Sequence, residues 1–247
     1  MSLKRLVRPL IPRGLVDRWR AAKTVRIDAE FRSRSPTEVF SAIYARGLWE
    51  QSRRQPDSFS SGTGSHEEPI VVPYIDATRQ FLARFPSKPP AVDLGCGDFA
   101  VGARVRSGCS TYVACDVVPE LIERNHRRFA GLDVEFRVLD IVADPLPPGD
   151  VVFLRQVLQH LSNEMIGAIL PKLRQYAWAV ITEHVPREPF FTPNRDKPTG
   201  PGTRLPLRSG VVVSAPPFNF EALEQQSLCS VVRPDGVIDT TAYRLRD

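Results

Sequence analysis

Ala91-Val92-Asp93-Leu94-Gly95-Cys96-Gly97-Asp98 is the stretch that decides the fold. A short apolar run holding an acid breaks at once into Gly-x-Gly. This is the pattern of the first strand of a parallel α/β sheet running into a loop over a small molecule. Glycine belongs there because the backbone must turn tightly and approach a ligand with no Cβ in between. Outward from this point strand and helix signals alternate, as a doubly wound sheet requires. Strands are expected at 91–94, 111–115, 134–138, 150–154 and 177–182, with helices near 99–106, 118–130 and 162–175. A short helix is expected around 219–226. Residues 228–233 and 237–245 then flank Pro234-Asp235-Gly236, which reads as a β-hairpin.

Between 186 and 217 lie eight prolines, marking a long irregular insertion, and long loops in compact domains are usually functional. Upstream of the glycine loop, Pro86 to Pro90 form a hinge. The hinge divides the chain into a helical or lid segment, 1–88, and a nucleotide-fold body, 89–247. Within the first part, Ser35, Pro36 and Glu38 open a helix over 36–46, and another helix is expected over 69–85. The Ser/Gly-rich run around Ser61-Gly62-Thr63-Gly64-Ser65 reads either as a linker or as hydroxyls and N–H groups at a helix start that bind a carboxylate.

With 247 residues, 42% of them hydrophobic, the chain holds one well-cored α/β domain and an appendage, and is too short for two full enzyme domains. Its four cysteines include no Cys-x-x-Cys pair and read as small buried hydrophobes in a reducing compartment. No signal peptide and no apolar run of transmembrane length is visible, so a cytoplasmic protein is expected. Residues 1–34 hold ten Lys/Arg against three acids, which leaves the rest of the chain at −2 within a total of +5. This basic, partly amphipathic segment is read as a helix docked on the body or on a second copy in a homodimer, with contact to an anionic membrane surface as the alternative. No aromatic-basic motif of a nucleic-acid module appears, so no nucleic-acid partner is expected.

Gly95-x-Gly97-x-x-Ala100 also fits a loose dinucleotide fingerprint, so the glycines alone do not choose the ligand. Three acids do. Asp93 stands two residues before Gly95, where it would repel a pyrophosphate and favour the ammonium and sulfonium of S-adenosylmethionine. Asp116 ends the second strand, where a carboxylate can take both ribose hydroxyls. Asp140, with Ile141 beside it, follows the third strand, where an acid accepts the adenine amino group and an apolar neighbour covers the ring. The three recur at successive strand ends, on the edge where α/β sheets bind ligands.

Asp93-Leu94-Gly95-Cys96-Gly97, Cys115-Asp116, Leu139-Asp140 and the run Phe153-Leu154-Arg155-Gln156-Val157-Leu158-Gln159-His160-Leu161 resemble the class I S-adenosylmethionine-dependent methyltransferases. The resemblance implies a Rossmann-like, seven-stranded sheet whose last strand is antiparallel, and a donor site that takes in Arg155 and Gln156. Trp49, the segment with Ser61 and Ser65, and Ala215-Pro216-Pro217-Phe218-Asn219 resemble a bacterial subgroup associated with sugars and polysaccharides. More narrowly, the chain is similar to the mycobacterial sugar 1-O-methyltransferases of methylmannose polysaccharide biosynthesis. That likeness implies a sugar or oligosaccharide acceptor, a mannoside methylated at its reducing-end hydroxyl.

Methyl transfer from a sulfonium is an in-line displacement governed by positioning, and a sugar hydroxyl gains from a general base. His160, after the fourth strand, is the first candidate for the base. Glu183 and His184 end the fifth strand on the same edge and are candidates for binding or deprotonating the acceptor. Mg2+ is left open as a second cofactor, since Glu183 could supply one oxygen ligand but no compact acidic cluster accompanies it. The rival readings are a small-molecule or lipid methyltransferase with the same donor site, and a non-catalytic S-adenosylmethionine-binding protein.

Overall fold

The computed structural model describes residues 22, 26, 28–32, 34–49 and 59–247; most of the basic segment expected to form a docked helix lies outside them. The body is a seven-stranded sheet in the order β3-β2-β1-β4-β5-β7-β6. Its strands are β1 Ala91–Leu94, β2 Tyr112–Asp116, β3 Glu135–Val138, β4 Val151–Arg155, β5 Trp178–Val185, β6 Glu224–Arg233 and β7 Gly236–Arg244. The first five pair in parallel. The last strand in sequence, β7, runs antiparallel between β5 and β6. Central strands covered on both faces need apolar residues at every position. In β4, Val152 and Leu154 pack into one core while Val151 and Phe153 pack into the other. Burying a side chain such as Leu154 contributes about 2 kcal/mol.

Helices cover the two faces. α1 Pro36–Ala45 starts at a capping box, in which the Ser35 hydroxyl accepts from Glu38 N and the Glu38 carboxylate accepts from Ser35 N. A single turn, α2 Thr63–His66, leads into α3 Glu68–Leu82, whose buried face carries Val71, Tyr74, Ile75 and Phe81. α4 Gly102–Val105, α5 Pro119–Arg128 and α6 Asn163–Ile169 follow β1, β2 and β4. The helix expected at 99–106 is thus a single α-turn with a 3₁₀ extension over Arg106–Gly108. That expected at 162–175 passes into 3₁₀ geometry at Leu170–Gln175.

The helix expected around 219–226 is not formed. Glu224, Gln225 and Gln226 instead begin β6, opposite Arg244, Tyr243 and Ala242. The local preference of Glu, Ala, Leu and Gln for helix is overridden by pairing along an edge strand whose outer face tolerates polar residues.

The 186–217 insertion is irregular apart from a 3₁₀ turn at Leu205–Leu207, and it is tied down by buried polar groups. The Asn194 amide donates to the carbonyls of Val212 and Pro216, both at 2.9 Å, and its oxygen accepts from Val212 N at 2.8 Å. Lys197 lies 3.2 Å from Asp28 in an ion pair whose side chains are 4% and 2% exposed. Asp28 also accepts from Gly202 N at 3.1 Å.

Candidate functional site

The strand order reverses between β1 and β4, and beyond their C-terminal ends lies a cavity of about 380 Å³. Open α/β sheets place ligands at this switch point because the diverging loops leave a crevice there. The first wall is the glycine loop. Gly95 and Gly97 adopt φ of +75° and +55°, values that L side chains rarely tolerate. The loop's amides are all engaged within the protein. Gly95 N and Cys96 N donate to Cys115 O, Gly97 N to Asp116 Oδ2, Asp98 N to Ser61 Oγ, and Ala100 N to Asp98 Oδ1. No amide from Gly95 to Ala100 is left free for a pyrophosphate.

The acids lining the cavity complete the electrostatics. Asp93 accepts from the Tyr112 hydroxyl at 3.1 Å, and burial pushes its carboxyl up to about 7 against the opposing pull of that bond and of Arg155. Asp116 accepts from Gly97 N and Val118 N and is pushed up to about 6, again by burial. Asp140 also lines the cavity, and its Oδ1 accepts from Val142 N at 2.8 Å. The carboxyls of Asp93, Asp116 and Asp140, opposed in the wall by Arg155, give the cavity acidic groups that fit a cationic ligand. The expected residues Ile141, Arg155 and Gln156 line the same space. Arg155 is itself tied to α2, donating to Gly64 O at 2.5 Å, and its guanidinium sits 4.9 Å from the Tyr74 ring centroid.

The N-terminal segment supplies the second wall. Ser61 grips Asp98 from both directions: its amide donates to Asp98 Oδ2 at 3.0 Å, and its hydroxyl accepts from Asp98 N at 2.9 Å. Tyr44 lies 3.1 Å from the same hydroxyl. Ser65 is 3.4 Å from Arg155. The Trp49 indole N–H donates to Pro201 O at 3.1 Å, and its ring lies 5.0 Å from that of His160. Trp49, Ser61 and Ser65 therefore all line the cavity, while the polar atoms of Ser61 and Trp49 are spent on holding the wall.

Of the three catalytic candidates, His160 and His184 line the cavity and Glu183 does not. The Glu183 carboxylate turns to the backbone after β4, where Oε1 accepts from Leu158 N at 3.1 Å. Burial pushes it up to about 8. Gln159 joins the two histidines. Its Oε1 accepts from His184 N at 3.3 Å, which turns its amide nitrogen toward His160 Nε2, 3.2 Å away. His160 Nε2 then accepts, so the neutral ring carries its proton on Nδ1, a buried atom with no partner. Burial, with Lys197 adding to it, pushes His160 down to about 3. His184 Nε2 is buried and lies 3.6 Å from Asp235 Oδ1. Burial lowers the pKa of His184, and Asp235 opposes the shift.

Residues 91–177 match the family described as Methyltransferase domain. This part of the chain carries a methyltransferase domain. Among solved structures the methyltransferase is similar to the N-methyltransferase NodS from Bradyrhizobium japonicum WM9, in complex with S-adenosyl-L-homocysteine. That likeness has a TM-score of 0.58 at 14% identity and covers 83% of this chain and 99% of that one. The N-terminal domain of EvdMO1, solved in the presence of S-adenosyl-L-homocysteine and D-fucose, gives a TM-score of 0.53 at 16% identity, covering 83% and 96%. Magnesium protoporphyrin IX methyltransferase from Synechocystis PCC 6803, with bound S-adenosylmethionine, gives 0.51 at 13%, covering 86% and 98%. At these identities the likeness is one of fold. No curated protein matches the chain.

Among the described residues no group of three or more His, Cys, Asp or Glu is placed to hold a metal ion, and no helix is long and apolar enough to cross a membrane. Sequence reasoning missed Asp98, Gln159 and Asp235 at the methyltransferase site. Asp98 follows Gly97 directly and Gln159 precedes His160, so adjacency was the available signal for both. Asp235 was seen only as part of a turn.

Proposed function

We propose that the methyltransferase acts on a sugar hydroxyl, as a sugar O-methyltransferase whose acceptor is a short mannoside. The observation that carries this reading is the far end of the cavity. There the Trp49 ring lies 5.0 Å from that of His160, and the neutral hydrogen-bonding groups Gln156, Gln159, His184 and Thr203 line the same cavity. An aromatic face suits the C–H face of a pyranose, and amides and imidazoles suit its hydroxyls. The fold shared with the EvdMO1 domain solved with D-fucose is in keeping with this reading.

When bound, S-adenosylmethionine supplies the methyl group on a sulfonium. Asp93, Asp116 and Asp140 would hold its ammonium, ribose and adenine, with Gly95 and Gly97 keeping side chains out of its way. The protein's part in the chemistry is then to hold the acceptor oxygen in line and take its proton. His160, neutral and with its Nδ1 buried, would pack beside Trp49 and position the acceptor by contact, without donating to its oxygen. His184 takes the proton: Asp235 favours a proton on Nε2, which leaves Nδ1 as the accepting atom. The bound sulfonium would supply the methyl group and leave as a neutral thioether, and His184 would hold the hydroxyl proton.

Calorimetry with S-adenosylmethionine and S-adenosylhomocysteine, repeated with methyl mannosides, tests the reading. The expected result is micromolar cofactor binding and mannoside binding strengthened by S-adenosylhomocysteine. Cofactor binding with no mannoside response overturns the acceptor assignment alone, and no cofactor binding overturns the whole proposal.

A further inference from the structure

Leu158–His160 is a 3₁₀ turn of three residues. A turn this short leaves N–H groups at its start and carbonyls at its end without internal partners, and buried ones must be satisfied from outside. Two ionisable side chains from distant parts of the chain do this. At the start, Glu183 from β5 accepts from Leu158 N at 3.1 Å. Along its carbonyls, Arg204 from the insertion donates to Leu158 O at 3.2 Å, which also accepts from Leu161 N, and to Gln159 O at 3.1 Å and Leu161 O at 2.7 Å. The remaining guanidinium hydrogens go to Asn163 Oδ1 at 2.9 Å and Arg195 O at 3.0 Å. Arg204 is fully buried and Glu183 is 5% exposed. Neither lines the cavity.

Burying the Arg204 guanidinium is costly unless hydrogen bonds meet it, whereas burial holds the Glu183 carboxyl up at about 8, so that it is largely protonated at neutral pH. The turn's carbonyls supply those bonds to the guanidinium, and its first amide is held by Glu183 Oε1. What the turn presents to the cavity is Gln159 and His160, and Gln159 in turn fixes the His160 tautomer through its contact with His184 N.

We propose that Glu183 and Arg204 are a positioning pair that sets the turn carrying Gln159 and His160 against the acceptor. This rests on the reading of that end of the cavity as the acceptor site. It assigns Glu183 a role through the turn in place of direct contact with substrate. It also makes the 186–217 insertion a scaffold behind the site, reaching it through Arg204, with a further hydrogen bond from Gly200 N to His160 O at 3.0 Å.

The test is 15N NMR of the full chain labelled at histidine, with His160→Asn identifying the resonance. In the unaltered protein His160 should stay in the Nδ1–H form and titrate only near about 3. Arg204→Lys keeps the charge and loses the planar fork. The expected result is a mixed tautomer and a His160 midpoint raised by about one pH unit or more as water reaches the ring. S-adenosylhomocysteine affinity should stay within about twofold, since the pair does not face the donor loop. A purely structural role would lower the melting temperature and leave the His160 tautomer and midpoint unchanged, which overturns the inference. If Arg204→Lys does not fold, Asn163→Ala removes one acceptor of the fork and should shift His160 in the same direction by a smaller amount; an unmoved resonance overturns the inference equally. Failure of the unaltered protein to bind S-adenosylhomocysteine would instead overturn the function proposed above.

Discussion

His66 Nε2 lies 2.6 Å from Asp98 Oδ2, so a histidine at the end of the short turn α2 is clamped to the acid that follows the glycine loop. The hydrogen bond to Asp98 raises the pKa of His66. Burial raises that of Asp98, but His66 and the Ser61 amide outweigh it and leave Asp98 low. The two are therefore an ion pair over the pH range between their folded values. The contribution of His66 is full below its ordinary value of 6.5 and fades as pH rises through its folded value. The contribution of Asp98 is present above 3.8 and is lost as pH falls through its lowered value. With the His66 side chain 45% exposed, His66→Gln should lower stability by only about 0.5 kcal/mol at pH 6. It should lower it by less at pH 9. Urea denaturation at the two pH values reads this directly, and an equal loss at both would rule out the charge.

Asp93 should give up its proton when a cationic donor enters. Because burial holds it at about 7, it is half protonated at neutral pH. A neighbouring cation favours the ionised form, so binding at pH 7 should release about half a proton. Below pH 6 the apparent affinity for S-adenosylmethionine should fall by about tenfold per pH unit, and it should level off above pH 8. Calorimetry in buffers of different ionisation enthalpy measures the proton count. Asp93→Asn should remove the release and weaken binding by about tenfold or more; release that survives the substitution would place its source elsewhere.

Gly95→Ala should damage the loop twice over. The backbone is at φ +75°, and a Cβ there would fall 2.6 Å from Val157 Cγ2 and 3.2 Å from Cγ1. The expected loss is about 2 kcal/mol. Adding Val157→Ala should restore the steric part and leave the backbone part. Denaturation of the single and double variants separates the two, and full recovery would show that strain at φ plays no part.

The pair Asp28–Lys197 sits where neither charge reaches water. Burial raises Asp28 and lowers Lys197, and each partner opposes the other's shift. Asp28→Asn strands a buried ammonium and should lower stability by about 3 kcal/mol. The double variant Asp28→Leu/Lys197→Met should lie close to the unaltered protein. Thermal melts of the three proteins decide it; a double variant as unstable as the single one would mean that the ion pair is a net stabiliser.

What could be read in advance followed the reach of each signal. The strands from β1 to β5 and the acids Asp93, Asp116 and Asp140 were legible because periodicity and strand-end position are local properties of the chain. The edge strand β6 was not, since Glu224, Gln225 and Gln226 favour helix until Arg244, Tyr243 and Ala242 arrive beside them. Nothing near Asp28 signals Lys197, and nothing near Leu158 signals Arg204. These contacts join segments far apart in sequence, and only the assembled sheet brings them together. The histidines were visible as chemistry, but the proton position on each depends on the side-chain orientation of Gln159, adjacent to His160 yet bridging to His184, and on Asp235, a neighbour of His184 only in space.

The cavity draws its walls from Pro36 through to Thr203. Most of the polypeptide must therefore be in place before any ligand can be held. A nascent chain that has made only β1, β2 and β4 has the glycine loop yet lacks the Pro201–Thr203 side of the site. Ligand binding is thus linked to the last stages of folding. A saturating donor should raise the stability of the whole chain by RT ln(1 + [L]/Kd), about 2.7 kcal/mol at a hundredfold excess over Kd. Protection of this protein in a cell then becomes a function of how much donor is present.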